Sequence, residues 1–152
     1  MRIPLALLLT LSSPALAGVE IVDGDTLRID GDRVRLWGFD APEKRQKCLT
    51  NGREEPIGQE ATEALRSLVA RGQLQCETKD RDRYGRTVAD CSVGGRSIGD
   101  AMVWSGWAWA LPRYSKDRFL SAQEEAEQAG RGVWAGHANC EAPARFRQQH
   151  RR

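Results

Sequence analysis

Three short clusters hold the residues able to do chemistry: Asp23-Gly24-Asp25-Thr26, Arg35 with Asp40-Ala41-Pro42-Glu43, and Asp82-Arg83-Tyr84-Gly85-Arg86. Each alone is ordinary turn sequence, since Asp-Gly starts hairpins, Asp-Ala-Pro redirects a chain and Tyr-Gly-Arg sits easily at a hairpin tip. Together they supply more. Asp25 and Asp40 offer the hard oxygen donors that Ca2+ or Mg2+ prefers, provided their strands pair and the carboxylates converge. Glu43 follows Asp40 closely enough to hold a water beside that cation and take its proton. Arg35 and Arg86 carry guanidinium forks that match phosphate oxygens and stay charged at any working pH. Two carboxylates, a base and two arginines are the components of metal-assisted phosphodiester hydrolysis.

Composition narrows the alternatives. The chain has 152 residues, 40% hydrophobic and 29% charged, which fits one globular domain and neither a disordered nor a membrane-spanning class. Only 2 histidines occur, His137 and His150, both near the C-terminus and far from the polar clusters, which excludes a Ser-His-Asp triad, a zinc hydrolase and a histidine-based nuclease. A formal charge of +2 does not announce a nucleic-acid binder, so any anion site has to be built locally.

Residues 1–17 read as a secretory signal peptide: Arg2, an apolar run from Ile3 to Leu11, then Ala15-Leu16-Ala17 before a cut at Gly18. The run is about half the ~20 residues a bilayer span requires. The mature protein is therefore expected to be secreted or periplasmic, free of the membrane and monomeric. Export makes disulfides the default for Cys48, Cys76, Cys91 and Cys140, and no Cys-x-x-Cys pair argues for metal or redox chemistry.

These residues need elements to position them. Val19–Asp30 and Arg33–Phe39 alternate in strand fashion around Asp-Gly turns. Helical spacing of Ala61, Ala64, Leu65, Leu68 and Val69 marks a first helix over 58–71, closed by Gly72. Gln73–Lys79 and Thr87–Val93 read as a hairpin, which can set Cys76 opposite Cys91. Four cysteines allow three pairings; the hairpin favours this one, leaving Cys48 with Cys140. Ile98–Trp109 and Asp117–Ala129 carry helical spacing, with Trp104, Trp107 and Trp109 expected in the core. Strands with interleaved helices give a small α+β domain with a barrel-like sheet over 18–140. Residues 141–152, which include Arg145, Arg147, Arg151 and Arg152, read as a basic, solvated and flexible tail.

The ordered set Val22-Asp23-Gly24-Asp25-Thr26, Arg35-Leu36 with Asp40-x-Pro42-Glu43, and Asp82-Arg83-Tyr84-Gly85-Arg86 resembles the thermonuclease (staphylococcal nuclease-like) family. Asp100-Ala101-Met102-Val103 with Gly106 and Ala108, and Gly132-Val133-Trp134, extend the likeness over about residues 19–135. The resemblance implies an OB-fold, a five-stranded β-barrel with three α-helices, and a Ca2+-dependent enzyme that cuts DNA and RNA to leave 3′-phosphate ends. It implies Asp25, Asp40 and the Ala41 carbonyl as metal ligands, Asp23 just behind them, Arg35, Glu43 and Arg86 as catalytic residues, and Tyr84 and Tyr114 as nucleotide contacts. Ala41 stands where the family's type member has threonine, and the stretch from Lys44 to Pro56 is longer and contains Cys48. The rival reading is a noncatalytic OB-fold module that binds nucleic acid or oligosaccharide. A secreted, disulfide-stabilised inhibitor is a third, but it leaves the acid and arginine clusters unexplained.

Overall fold

A computed structural model of the chain describes residues 18–136 and 140–150; the segment 1–17, read from the sequence as a signal peptide, residues 137–139 and the last two arginines lie outside them. In chain order the elements are β1 (Val19–Asp23), β2 (Thr26–Ile29), β3 (Asp32–Leu36), β4 (Phe39–Asp40), β5 (Cys48–Thr50), β6 (Arg53–Glu55), α1 (Ile57–Val69), β7 (Leu74–Arg81) and β8 (Thr87–Val93). They continue with β9 (Arg96–Ser97), α2 (Ile98–Trp104), β10 (Trp109–Ala110), α3 (Pro112–Ser115), α4 (Leu120–Gln128), a 3-10 turn at Gly132–Trp134, and α5 (Pro143–Gln149).

The Asp-Gly turns make β1, β2 and β3 an antiparallel meander, as their alternation predicts. β3 then pairs in parallel with β8, which forms an antiparallel hairpin with β7, giving the order β1-β2-β3-β8-β7 with β9 on β8. This mixed sheet curls into a half-barrel covered by helices, an α+β arrangement of the OB type. Leu27, Leu36, Phe39, Leu65, Met102 and Phe119 form its core, and Phe119 meets Trp37 and Phe39 edge-on at centroid distances of 6.1 and 6.5 Å. Cys76 lies directly opposite Cys91 in the β7–β8 register and is joined to it; Cys48 is joined to Cys140. The second bridge spans 92 residues, a closure worth about 4–5 kcal/mol in the chain-entropy view.

α1 buries Ala61, Leu65 and Val69, the expected stripe. α2 does not reach Trp109. It stops at Trp104 because Gly106, at φ 79°, supplies the left-handed residue of a helix-ending turn: its N–H donates to the Val103 carbonyl and the Trp107 N–H to Met102, both at 3.0 Å. A side chain at Gly106 would lie 2.1 Å from the Arg131 carbonyl oxygen, so the turn is locked against the 3-10 segment. The freed chain becomes β10, whose Trp109 pairs with Asp40. Trp104 is not in the core either. It is 47% exposed and lies flat against the Arg131 guanidinium, 3.8 Å from ring centroid to Cζ. The helices number more than the three expected, since α3 and α5 are additional short ones.

Gly58, in the first turn of α1, lies directly beneath the Glu43 segment. A Cβ there would sit 1.9 Å from the Glu43 carbonyl oxygen and 2.8 Å from its carbon, and backbone cannot yield as a side-chain tip can. Gly58→Ala is expected to lower unfolding free energy by about 1–3 kcal/mol in denaturant titration, the usual range for overpacking, despite alanine's better helix propensity.

Candidate functional site

The turn between β1 and β2 presents the first acid. Asp23 folds back so that its Oδ1 accepts the Asp25 N–H at 3.2 Å, and this tightens the turn. Asp25 is buried, and each of its oxygens is engaged: Oδ1 accepts from the Thr26 hydroxyl (3.0 Å) and Oδ2 from the Ala41 N–H (2.9 Å). Gly24 permits this approach, because a Cβ there would lie 2.7 Å from the Ala41 methyl. The small residues at 24 and 41 are thus a matched pair.

Arg35 projects from β3 between the two acids. Its Nη1 lies 2.6 Å from Asp25 Oδ1, while its Nη2 lies 2.9 Å from Asp40 Oδ1 and donates to the Phe39 carbonyl at 3.2 Å. The carboxylates of Asp25 and Asp40, 15 positions apart in sequence, therefore converge on one guanidinium. Burial pushes Asp25 up to about 7, outweighing the lowering influence of Arg35. Burial acts on Asp40 in the same direction, but a hydrogen bond from Arg147 and the charge of Arg35 outweigh it and hold Asp40 below the usual carboxylate range.

Glu43 stands at the rim. Its backbone is clamped by Gln46, which is 1% exposed: the Gln46 N–H donates to the Glu43 carbonyl (2.7 Å), and Gln46 Oε1 accepts the Glu43 N–H (3.1 Å). The same side chain donates through Nε2 to the Glu141 carbonyl at 2.8 Å, which ties the C-terminal segment to the site. Nothing in the sequence around Gln46 marks it as a hub.

The segment read as a flexible tail is helical over Pro143–Gln149, and Arg147 reaches back to the acids. Its Nη1 meets Glu43 Oε1 at 2.7 Å and Asp40 Oδ1 at 3.1 Å, and its Nη2 meets Asp40 Oδ2 at 2.9 Å. The signal that could have found it is the Cys48–Cys140 pairing, since Cys48 follows Glu43 closely and Arg147 follows Cys140 closely.

Arg86 is placed differently. It sits on the β7–β8 turn, where its Nε pairs with Asp82 Oδ2 at 2.5 Å and its N–H donates to Asp82 Oδ1 at 2.9 Å. Burial is the largest single influence on Asp82 and raises it, but these bonds, a third from the Tyr84 N–H and the Arg86 charge together outweigh it and hold the carboxyl below its ordinary range. Tyr84, on the same turn, and Tyr114, on α3, are 71% and 59% exposed with arginines over their rings, so both are open to a ligand. The structure thus brings Asp25, Arg35, Asp40, Ala41 and Glu43 together and leaves Arg86, Tyr84 and Tyr114 on neighbouring surface elements.

Among the described residues, no group of three or more His, Cys, Asp or Glu side chains is arranged to hold a metal. The two buried carboxylates of Asp25 and Asp40 are all-oxygen donors, the kind that suits a hard cation rather than zinc.

A family model described as Staphylococcal nuclease homologue matches residues 33–136, from Arg33 on β3 to Gly136 after the 3-10 turn. The chain belongs to this family. Among its relatives, Succinoglycan biosynthesis protein ExoI of Rhizobium meliloti is 34% identical over 137 residues, covering 88% of this chain and 72% of that protein. A protein of Haemophilus influenzae named Uncharacterized endonuclease is 37% identical, covering 86% of this chain and 71% of its own length. A Probable staphylococcal-like nuclease of Oryza sativa is 38% identical over 104 residues, but this chain spans only 29% of it. In this nuclease homologue the matched stretch includes Arg35, Asp40, Glu43 and Arg86 and stops short of Arg147. Among the described residues, no helix is long and apolar enough to cross a membrane.

Proposed function

We propose that this protein is an exported, calcium-dependent nuclease that acts as a monomer and hydrolyses phosphodiester bonds of DNA and RNA, leaving 3′-phosphate ends. The observation that carries the reading is the convergence of buried Asp25 and Asp40 on Arg35 with Glu43 at the rim. A binding module gains nothing from burying two carboxylates, which costs several kcal/mol of desolvation per ion unless they are matched by cations. Family membership and relatives named as nucleases or endonucleases point to the same chemistry.

In this reading Asp25, Asp40 and the Ala41 carbonyl would hold calcium, which would supply positive charge against the phosphate oxygens. Glu43 orients the attacking water and takes its proton. Arg35 stands beside the acids and donates to a phosphate oxygen. Arg86, on the β7–β8 turn, donates to the phosphate as well, and Tyr84 and Tyr114 offer ring faces to bases. The apolar leader at 1–17 and the two disulfides support export, where calcium is plentiful.

The test is incubation of purified mature protein, disulfides intact, with plasmid and with RNA, in calcium, in magnesium and in chelator. Cleavage in calcium that chelator abolishes, with phosphate retained on the 3′ end, is the expected result. Intact substrate under every condition would sink the proposal.

A further inference from the structure

The seat of Arg147 has a consequence for the metal reading on which it rests. Asp40 is almost fully buried, and its Oδ1 accepts from both Arg35 and Arg147 while its Oδ2 accepts from Arg147. A carboxylate oxygen has two lone pairs, so Oδ1 has none left for a cation. Arg147 also holds Glu43 through its Oε1.

This is not a stray surface pair. The guanidinium bridges two carboxylates, one of them buried, and these hydrogen bonds hold Arg147 more firmly protonated than an ordinary arginine. The helix that carries it is tethered twice, by the Cys48–Cys140 disulfide and by the Gln46–Glu141 hydrogen bond, and Pro143 at its start is buried. The charge pattern explains the attraction. Asp23, Asp25, Asp40 and Glu43 outnumber Arg35, so the cluster recruits positive charge, and α5 supplies it from within the chain. Arg147 itself is 42% exposed, so it can leave toward solvent without disturbing the core.

We propose that Arg147 is a resident counter-cation of the site, which a divalent metal ion must displace from Asp40 and Glu43. The C-terminal helix then acts as a tethered gate that sets cation affinity: seated, it satisfies the acids, and released, it leaves Asp40 and Glu43 to the metal and its water. A gate seated nine-tenths of the time weakens apparent cation affinity about tenfold, because only the open fraction binds.

Calorimetric titration of calcium into the mature protein and into Arg147→Gln decides this. The variant is expected to bind about tenfold more tightly, and amide exchange over residues 143–149 of the unsubstituted protein should quicken when calcium is added. Equal or weaker calcium binding by the variant, or exchange over 143–149 unaltered by saturating calcium, overturns the gate while leaving the metal reading intact. If neither protein takes up calcium, the metal reading itself fails and the gate fails with it.

Discussion

Glu43→Gln is expected to reduce phosphodiester hydrolysis by about 10²–10⁴-fold, the usual worth of a positioned general base, while the thermal midpoint stays within a few degrees. The substitution keeps the shape of the side chain and one acceptor oxygen, but exchanges the other oxygen for a donor and removes the ability to take a proton. Fold stability should be spared because what holds this segment is backbone: Gln46 clamps both the N–H and the carbonyl of Glu43. Asp40 retains both of its arginine partners in the variant. Cleavage assays in calcium paired with a thermal melt would check it. Retained activity would remove Glu43 from the chemistry, and a collapsed melt would make it structural.

Arg35→Ala is expected to cost about 3–5 kcal/mol of unfolding free energy at neutral pH, together with the activity, because it leaves two buried carboxylates without their shared cation. The loss should depend on pH with a definite sign. Asp25 lies at about 7 even with Arg35 present, and removing that charge raises it further above its unfolded value of about 3.9. Asp25 costs the variant extra stability only where the unsubstituted protein holds it ionised, so its share of the loss should grow as pH rises above about 7 and fade below that. Arg86→Ala provides the contrast. Its partner Asp82 lies on an exposed turn, so the change in stability should stay within about 1 kcal/mol even as cleavage falls. Denaturant titrations of both variants at several pH values separate the cases, and a pH-independent loss for Arg35→Ala would contradict the buried-carboxylate account.

How much of this was legible in advance follows the range of the interactions involved. Turn chemistry placed Asp25 at the head of β2, and the period-two pattern of the β7–β8 arms set Cys76 opposite Cys91, because both depend on neighbours a few residues away. The apolar stripe of α1 was equally local. The end of α2 was missed because helical periodicity runs on through Trp107 and Trp109, whereas Gly106 turns the chain at a close contact with Arg131, 25 positions later. Trp104 was misplaced for a related reason: spacing says which residues share a face, not whether another element covers it.

The sequence by itself determined which groups were available for chemistry: carboxylates and arginines at turns and strand ends, histidine remote from them along the chain, and four cysteines. Only the tertiary structure decided which of them meet. Arg35 joins Asp25 to Asp40 because β2 and β3 pair and β4 lies against β10. Arg86 turns to Asp82 within its own hairpin. Arg147, which composition assigns to a solvated tail, is drawn onto Asp40 and Glu43 by a disulfide spanning 92 residues and by a buried glutamine. Charge attraction of that kind falls off within about 10 Å in salt, so it acts only after the fold has brought the groups close.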